Sequence, residues 1–219
     1  MFKKPQVNFV CKEKYYAENS TEYIEPALKA LPQEFKDIKP WFGFNLNERI
    51  KNIFKHDSNE MPKTIKQCNG IMKLWRNCFL LKFPADVILD ISTEEERWQA
   101  TTADPQFITV VNHSQDQMGK MLPDRLVIKF LFEMYLETNT EILPLSAIYH
   151  KPQPFEILPG IIYQKHKSPP HFNIIVTIPK ITKSYIFKKG EPLCLLYTKA
   201  PAKFTTSHNP EVRLVKPEY

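Results

Sequence analysis

The chain has 219 residues, 42% hydrophobic and 12% aromatic, with 30 basic against 24 acidic side chains and a net charge of +6. That composition supports one substantial core, with or without an elaborated arm, and excludes wholesale disorder. The excess charge is moderate and its densest runs are short (Lys3-Lys4, Lys12 with Lys14, and Lys180, Lys183, Lys188 and Lys189). They read as solvated faces and edge-strand guards, not as the basic stripe of a nucleic-acid binder.

Nineteen prolines stand against five glycines. Proline fixes φ and removes a ladder donor, so this imbalance predicts short elements, stiff connections and a β-rich fold. Cys11, Cys68, Cys78 and Cys194 lie far apart with no C-x-x-C and read as buried, reduced thiols of a cytosolic setting. The start, Met1-Phe2-Lys3-Lys4-Pro5, lacks a signal-peptide core, and no window approaches the ~18 apolar residues of a membrane span. The expectation is a chain neither secreted nor transmembrane, in which the sequons at Asn19 and Asn112 are chance matches.

Residues 1–60 are polar and uneven, with a strand-like Val7-Asn8-Phe9-Val10 and a run from Ile24 to Leu31 broken by Pro26 and closed by Pro32. Short aromatic anchors separated by charge describe an arm that lies along the core or along a partner. Trp41, Phe42 and Phe44, just after Pro40, are its sharpest feature. Three large aromatics within four residues either tuck into the chain's own core or anchor in another protein.

The spacing then predicts a helix over 64–77. Thr64-Ile65-Lys66-Gln67 has the form of a capping box, and Ile65, Cys68, Met72, Trp75 and Phe79 recur at helical steps on one face. Cys68 falls on that apolar stripe and is expected in the core, despite its place near a helix start that would lower a thiol pKa.

From Phe79 the period changes to two. Phe79–Phe83, Val87–Ile91, Trp98–Thr101 and Phe107–Val111 read as successive strands of a meander. The segment 125–137 fits a buried strand or a buried helix, and its β-branched and aromatic content favours the strand. Short runs follow at Ser146–Tyr149, Phe155–Leu158 and Gly160–Tyr163, then a clean alternation over Phe172–Ile178. Last comes Ile186-Phe187-Lys188-Lys189-Gly190-Glu191-Pro192-Leu193-Cys194, read as a hairpin with Gly190 at φ > 0. The whole predicts a mainly β (α+β) fold, an antiparallel barrel or sandwich with one packed helix. Its parts are an arm over 1–60, a single domain over 61–200 and a polar tail over 201–219.

No pattern commits the chain to a reaction. His166 and His171 lie five apart and could meet Cys194, but no tight ligand pair exists and they read as loop histidines. Asp86, Asp90 and Glu94-Glu95-Glu96 read as a solvated acidic loop. There is no G-x-S-x-G, P-loop or G-x-G-x-x-G. Tyr185 and Phe187 with Lys183, Lys188 and Lys189 could form a single-strand nucleic-acid surface, although a lysine-guarded edge strand explains them more simply.

Two blocks carry a resemblance. Thr64–Ile71 through Phe79-Leu80-Leu81-Lys82-Phe83-Pro84-Ala85-Asp86-Val87 resembles the T-x-K-x-C-P-x-[FI] opening of an uncharacterised protein family of tailed, T4-like and marine bacteriophages, with Asn69 where that family carries Pro. Leu158-Pro159-Gly160 through Gly190-Glu191-Pro192-Leu193 is similar to its closing K-x-G-x-P segment. The closing segment also resembles the end of the β-clip barrels of dUTPases and dCTP deaminases. Leu158–Tyr163 nevertheless lacks the water-activating Asp of those enzymes, and no Gly/Ser-rich phosphate loop is present. The resemblance implies a phage origin and a β-rich fold. Together with the aromatic arm and the lack of a catalytic constellation, the expectation is a non-enzymatic phage accessory protein, a virion component or host-directed factor in the host cytoplasm or virion, acting by contact with phage or host proteins or with itself. Two alternatives stay open: a nucleotide-binding or nucleotide-processing β-clip protein, and a nucleic-acid-binding protein. No catalytic residue, metal ligand or cofactor is assigned.

Overall fold

The computed structural model describes residues 4–39, 64–113, 121–163 and 171–211. Its strands are β1 (Gln6–Cys11), β2 (Ile24–Pro26), β3 (Cys78–Lys82), β4 (Val87–Ser92), β5 (Arg97–Thr102), β6 (Ile108–Asn112), β7 (Arg125–Phe132), β8 (Met134–Thr138), β9 (Ile142–Leu145), β10 (Glu156–Ile157), β11 (Phe172–Pro179), β12 (Lys183–Phe187), β13 (Pro192–Thr198) and β14 (Lys203–His208). Three short α-helices accompany them among the described residues: α1 (Lys14–Glu18), α2 (Gln33–Asp37) and α3 (Asn69–Arg76). The sheets run β14-β1-β8, β10-β11-β7-β6, β12-β4-β5 and β2-β3-β13-β9, and only the β1–β14 pair is parallel. Each sheet has two open ends, so no barrel closes among the described residues, and the architecture is an α+β sandwich. All four sheets send side chains into one core, among them Phe9, Leu81, Leu89, Phe130 and Ile174.

The organising element is a two-stranded ribbon that bends without losing register. Phe187 lies opposite Val87 in the β12–β4 pair, and Pro192 lies opposite Lys82 in the β13–β3 pair, five residues further along each chain. Between them both chains turn a corner together, from one sheet into the next. The Phe83 N–H donates to the Glu191 carbonyl at 2.9 Å, and the Gly190 N–H to the Phe83 carbonyl at 2.8 Å. The ladder shifts by one residue between Pro192 and Cys194, a bulge that adds bend to the ribbon. Inside the corner four phenylalanines pack together. Phe83 stacks on Phe187 at 5.1 Å, while Phe130 and Phe155 meet the pair at 5.3–6.3 Å, mostly edge-on.

The final hairpin of the sequence reading is therefore a different object. β12 and β13 do not pair with each other; each pairs with a strand about 100 residues earlier. The turn itself is real: the Glu191 N–H donates to the Lys188 carbonyl at 3.0 Å, and Gly190 sits at φ +84°.

β3 is apolar at nearly every position because both its faces are covered. Phe79 and Leu81 enter the main core, whereas Cys78 and Leu80 join Leu195, Trp75, Phe35, Leu31 and Ala27 beneath α2 and α3. The segment 125–137 is strand, as its composition predicts, but broken at Glu133 so that β7 and β8 lie in different sheets. Ser146–Tyr149 is not a strand; the strand precedes it, with Pro144 tolerated because β9 is an edge whose outer side carries a bridge only at Ile142, to Ile162. Residues 6–11 of the expected arm are the middle strand of a sheet, and Lys203–His208 of the expected tail is its parallel edge.

The helix differs from expectation at its start. The Thr64 carbonyl takes the Gln67 N–H at 2.8 Å and closes a 3-10 turn over Ile65–Gln67. Cys68 is then extended, and the α-helix begins at Asn69. The Thr64 hydroxyl donates to the Lys39 carbonyl at 2.8 Å and does not cap the helix. Cys68 is exposed as a result, and of the expected stripe before Phe79 only Trp75 is fully buried.

Two glycine substitutions should move stability in opposite directions. A Cβ at Gly190 or at Gly70 would meet nothing within 4 Å, so backbone conformation alone decides. Gly190→Val forces an L-residue to positive φ and should cost about 1–2 kcal/mol or more, whereas Gly70→Ala inside α3 should add about 0.5–1 kcal/mol. Urea midpoints with an unchanged slope measure both, and two shifts of the same sign would refute the assignment.

Candidate functional site

The corner of the ribbon gathers charge because a bend leaves N–H groups without ladder partners. Asp86 supplies one replacement, its Oδ1 accepting the Lys189 N–H at 2.7 Å, while its Oδ2 accepts from the Lys188 ammonium at 2.8 Å. The Glu191 carboxylate accepts the Lys188 N–H at 3.1 Å and pairs with Lys151 at 3.1 Å. The Lys188 side chain first, then the Lys189 N–H, hold the Asp86 carboxyl below the usual carboxylate range.

Beside this corner lies a recess of about 320 Å³ with Tyr15, Tyr16, Glu22, Asp86, Asp104 and Lys189 among its walls. Lys189 pairs with Glu22 at 2.8 Å, which raises the pKa of its ammonium. Tyr16 stacks on Phe107 at 3.6 Å and donates its hydroxyl to Asp104. Behind it the buried Tyr23 hydroxyl donates to the Tyr16 carbonyl at 2.7 Å and lies 3.5 Å from the Cys11 thiol. Burial pushes the pKa of that hydroxyl far up, so it stays neutral and serves as a strut. Among the described residues Glu22 and Asp86 are each met by an ammonium, Lys189 and Lys188, and Asp104 is not. One net negative charge, with the exposed Tyr15 ring at the rim, suits a cationic group.

The outer face of the β12-β4-β5 sheet continues from the corner. Lys188 and Asp86 form its first pair, and two residues further along each strand Ile186 lies opposite Ile88. These isoleucines are 55% and 38% exposed. Next come Ser184 and Asp90, joined by a hydrogen bond. β5, at the end of the sheet, contains neither Lys nor Pro and carries one charged side chain, the exposed Arg97, at its start.

The other sequence-derived candidates separate. Tyr185 and Phe187 point into the core, with Lys183 over the Tyr185 ring at 5.1 Å, so the aromatics and lysines of β12 do not share the solvent face that single-strand stacking requires. His171 is buried opposite Glu133, one rung beyond the Phe172–Phe132 pair, at 3.0 Å from its carboxylate. It borders an apolar groove of about 310 Å³ with Phe172, Ile162 and Tyr163. Cys194 lies wholly within the core, and no group of three or more metal-ligating side chains forms among the described residues. Trp41, Phe42, Phe44 and His166 fall outside the described residues. Tyr16, Glu22 and Asp104 carry no sequence signal, because the recess draws them from separate segments.

Compared with protein families, with curated proteins and with solved structures, the chain shows no match. No helix among the described residues is long and apolar enough to cross a membrane.

Two measurements test this geometry. The folded Asp86 pKa lies below its unfolded value, so its contribution is present above the ordinary carboxylate pKa of about 3.9 and is lost as pH falls through the folded value. Asp86→Asn should melt below wild type at pH 7, with the gap closing in acid below about pH 3; a gap independent of pH would refute the pairing. Native protein should also expose one fast-reacting thiol to Ellman's reagent, Cys68, with the other three released only on unfolding. Burial pushes the Cys78 thiol up to about 12 and Cys11 and Cys194 upward as well, which slows them further.

Proposed function

We propose that this chain is a non-enzymatic accessory protein of phage type that works by protein–protein contact through the outer face of the β12-β4-β5 sheet. The observation that carries this reading is the facing pair of exposed isoleucines, Ile186 and Ile88, on a sheet whose neighbouring rungs are polar. An apolar centre within a charged rim is the anatomy of a specific contact. Here the Asp86–Lys188 ion pair and the anionic recess border the isoleucines on one side. The partner that fits presents an apolar side chain to the isoleucine rung and a lysine or arginine to the recess. The β5 edge, uncharged beyond Arg97, lies on the same sheet and adds backbone donors and acceptors to the surface. The resemblance of the two sequence blocks to phage proteins agrees with a partner among phage or host proteins.

Sedimentation velocity of the tagged chain in extracts of producing cells tests the reading. Wild type should travel in a complex heavier than the free 25.8 kDa chain, and Ile186→Asp should return it to the free position. The variant should stay folded, since an exposed substitution of this kind changes stability by about 0.5 kcal/mol or less. Wild-type sedimentation by both Ile186→Asp and Ile88→Asp would overturn the proposal.

A further inference from the structure

A second concave surface lies away from the corner, on the outer face of the β14-β1-β8 sheet. Alternation along these strands sends Val7, Phe9, Leu136 and Phe204 toward the core. It leaves Gln6 and Asn8 of β1, Glu137 of β8, and Lys203, Thr205 and Ser207 of β14 around a cavity of about 580 Å³. No apolar residue lines it. Its one ammonium and one carboxylate balance, so it favours neither an anion nor a cation.

The polar groups are held in place by one another. The Asn8 amide is the hub: its Nδ2 donates to Glu137 Oε2 and to Ser207 Oγ, each at 3.0 Å, and its Oδ1 accepts the Thr205 hydroxyl at 3.1 Å. Tyr135 donates to the other Glu137 oxygen at 3.3 Å, and Asn139 at the rim is fixed by the Gln6 N–H, which donates to its Oδ1 at 2.7 Å. These bonds leave capacity directed outward. Ser207, accepting from Asn8, retains a hydroxyl proton to donate; Thr205, donating to Asn8, retains lone pairs to accept; Glu137 retains lone pairs on both oxygens. The Gln6 side-chain amide and the Lys203 ammonium make no hydrogen bond or ion pair among the described residues and add further donors.

We infer that this face binds a neutral polyhydroxylated ligand, a saccharide. Each hydroxyl of such a ligand both donates and accepts, which matches a field of donors and acceptors interleaved a strand spacing of about 4.8 Å apart. A phosphate-bearing ligand meets Glu137, an apolar one leaves the donors and acceptors of this face unpaired, and an orienting network fixed before binding lowers the ordering cost. The site is independent of the isoleucine face and involves none of its residues.

The test uses the full chain on an array of neutral oligosaccharides, hexose and N-acetylhexosamine polymers, with sialylated glycans as charged controls, followed by titration calorimetry with the best neutral binder. Wild type should bind at least one neutral oligosaccharide, with affinity unchanged between about 50 and about 500 mM salt, because no net charge is neutralised. Glu137→Ala and Gln6→Ala, both with unaltered circular dichroism, should weaken binding by about tenfold or more. Ile186→Asp should leave it unchanged. The inference fails if no neutral oligosaccharide binds at millimolar concentration, if only charged glycans bind with steep salt dependence, or if both folded variants bind as wild type does.

Discussion

The structure depends on a bend in a paired backbone. A two-stranded ribbon that turns from one sheet into another must interrupt its ladder, and each interrupted N–H or carbonyl needs a replacement partner. Pro84 has no N–H to satisfy at the bend, Gly190 supplies the positive φ, and Asp86 and Glu191 accept hydrogen bonds from the amides of Lys189 and Lys188. The inside of the bend is filled by Phe83, Phe130, Phe155 and Phe187, so the corner is closed by side chains where the ladder is open. Register survives because the same number of residues is spent on both chains.

Two surfaces of unlike character follow from that bend. Past the corner in one direction, β3 and β13 lie in a sheet covered on its second face by α2 and α3, which is why Leu80 and Leu195 are as buried as Leu81 and Leu196. In the other direction β4 and β12 lie in a sheet covered on one face only, so Ile88 and Ile186 remain at the surface. Asp86, one of the two carboxylates that replace ladder bonds at the bend, also lines the recess beside it, where Glu22 and Asp104 add their charge.

Most strands were legible because alternation is a local property: Phe172–Ile178 and Val87–Ile91 follow their sequence period. Pairing was not. Lys188-Lys189-Gly190-Glu191 has the chemistry of a hairpin turn, and nothing nearby says that the flanking strands bond to partners at 78–92 instead of to each other. The capping box failed for a related reason: a short 3-10 turn satisfies the Gln67 N–H first, and the extended Cys68 that follows cannot continue a helix from Thr64. At the site, Asp86, Lys188 and Lys189 could be named from sequence but only as solvated charges. Glu22, Tyr16 and Asp104 reach them through tertiary contacts that no spacing encodes, and the parallel pairing of Asn8 with Thr205 is equally silent in sequence.

Both proposed surfaces stand on elements that the fold already holds rigid. Around the recess, Tyr16 is clamped between the Phe107 ring and its bond to Asp104, and its backbone carbonyl is held by the buried Tyr23 hydroxyl. On the polar face, Asn8 belongs to the middle strand and ties both neighbours through its side chain. A group fixed by folding loses little further freedom when a partner arrives, so even a small contact retains more of its gross interaction energy as affinity. The difference between the two lies in what they leave unpaired: apolar area and excess negative charge on one, donors and acceptors of balanced charge on the other. Partner chemistry is therefore divided between them, and a single ligand class does not satisfy both.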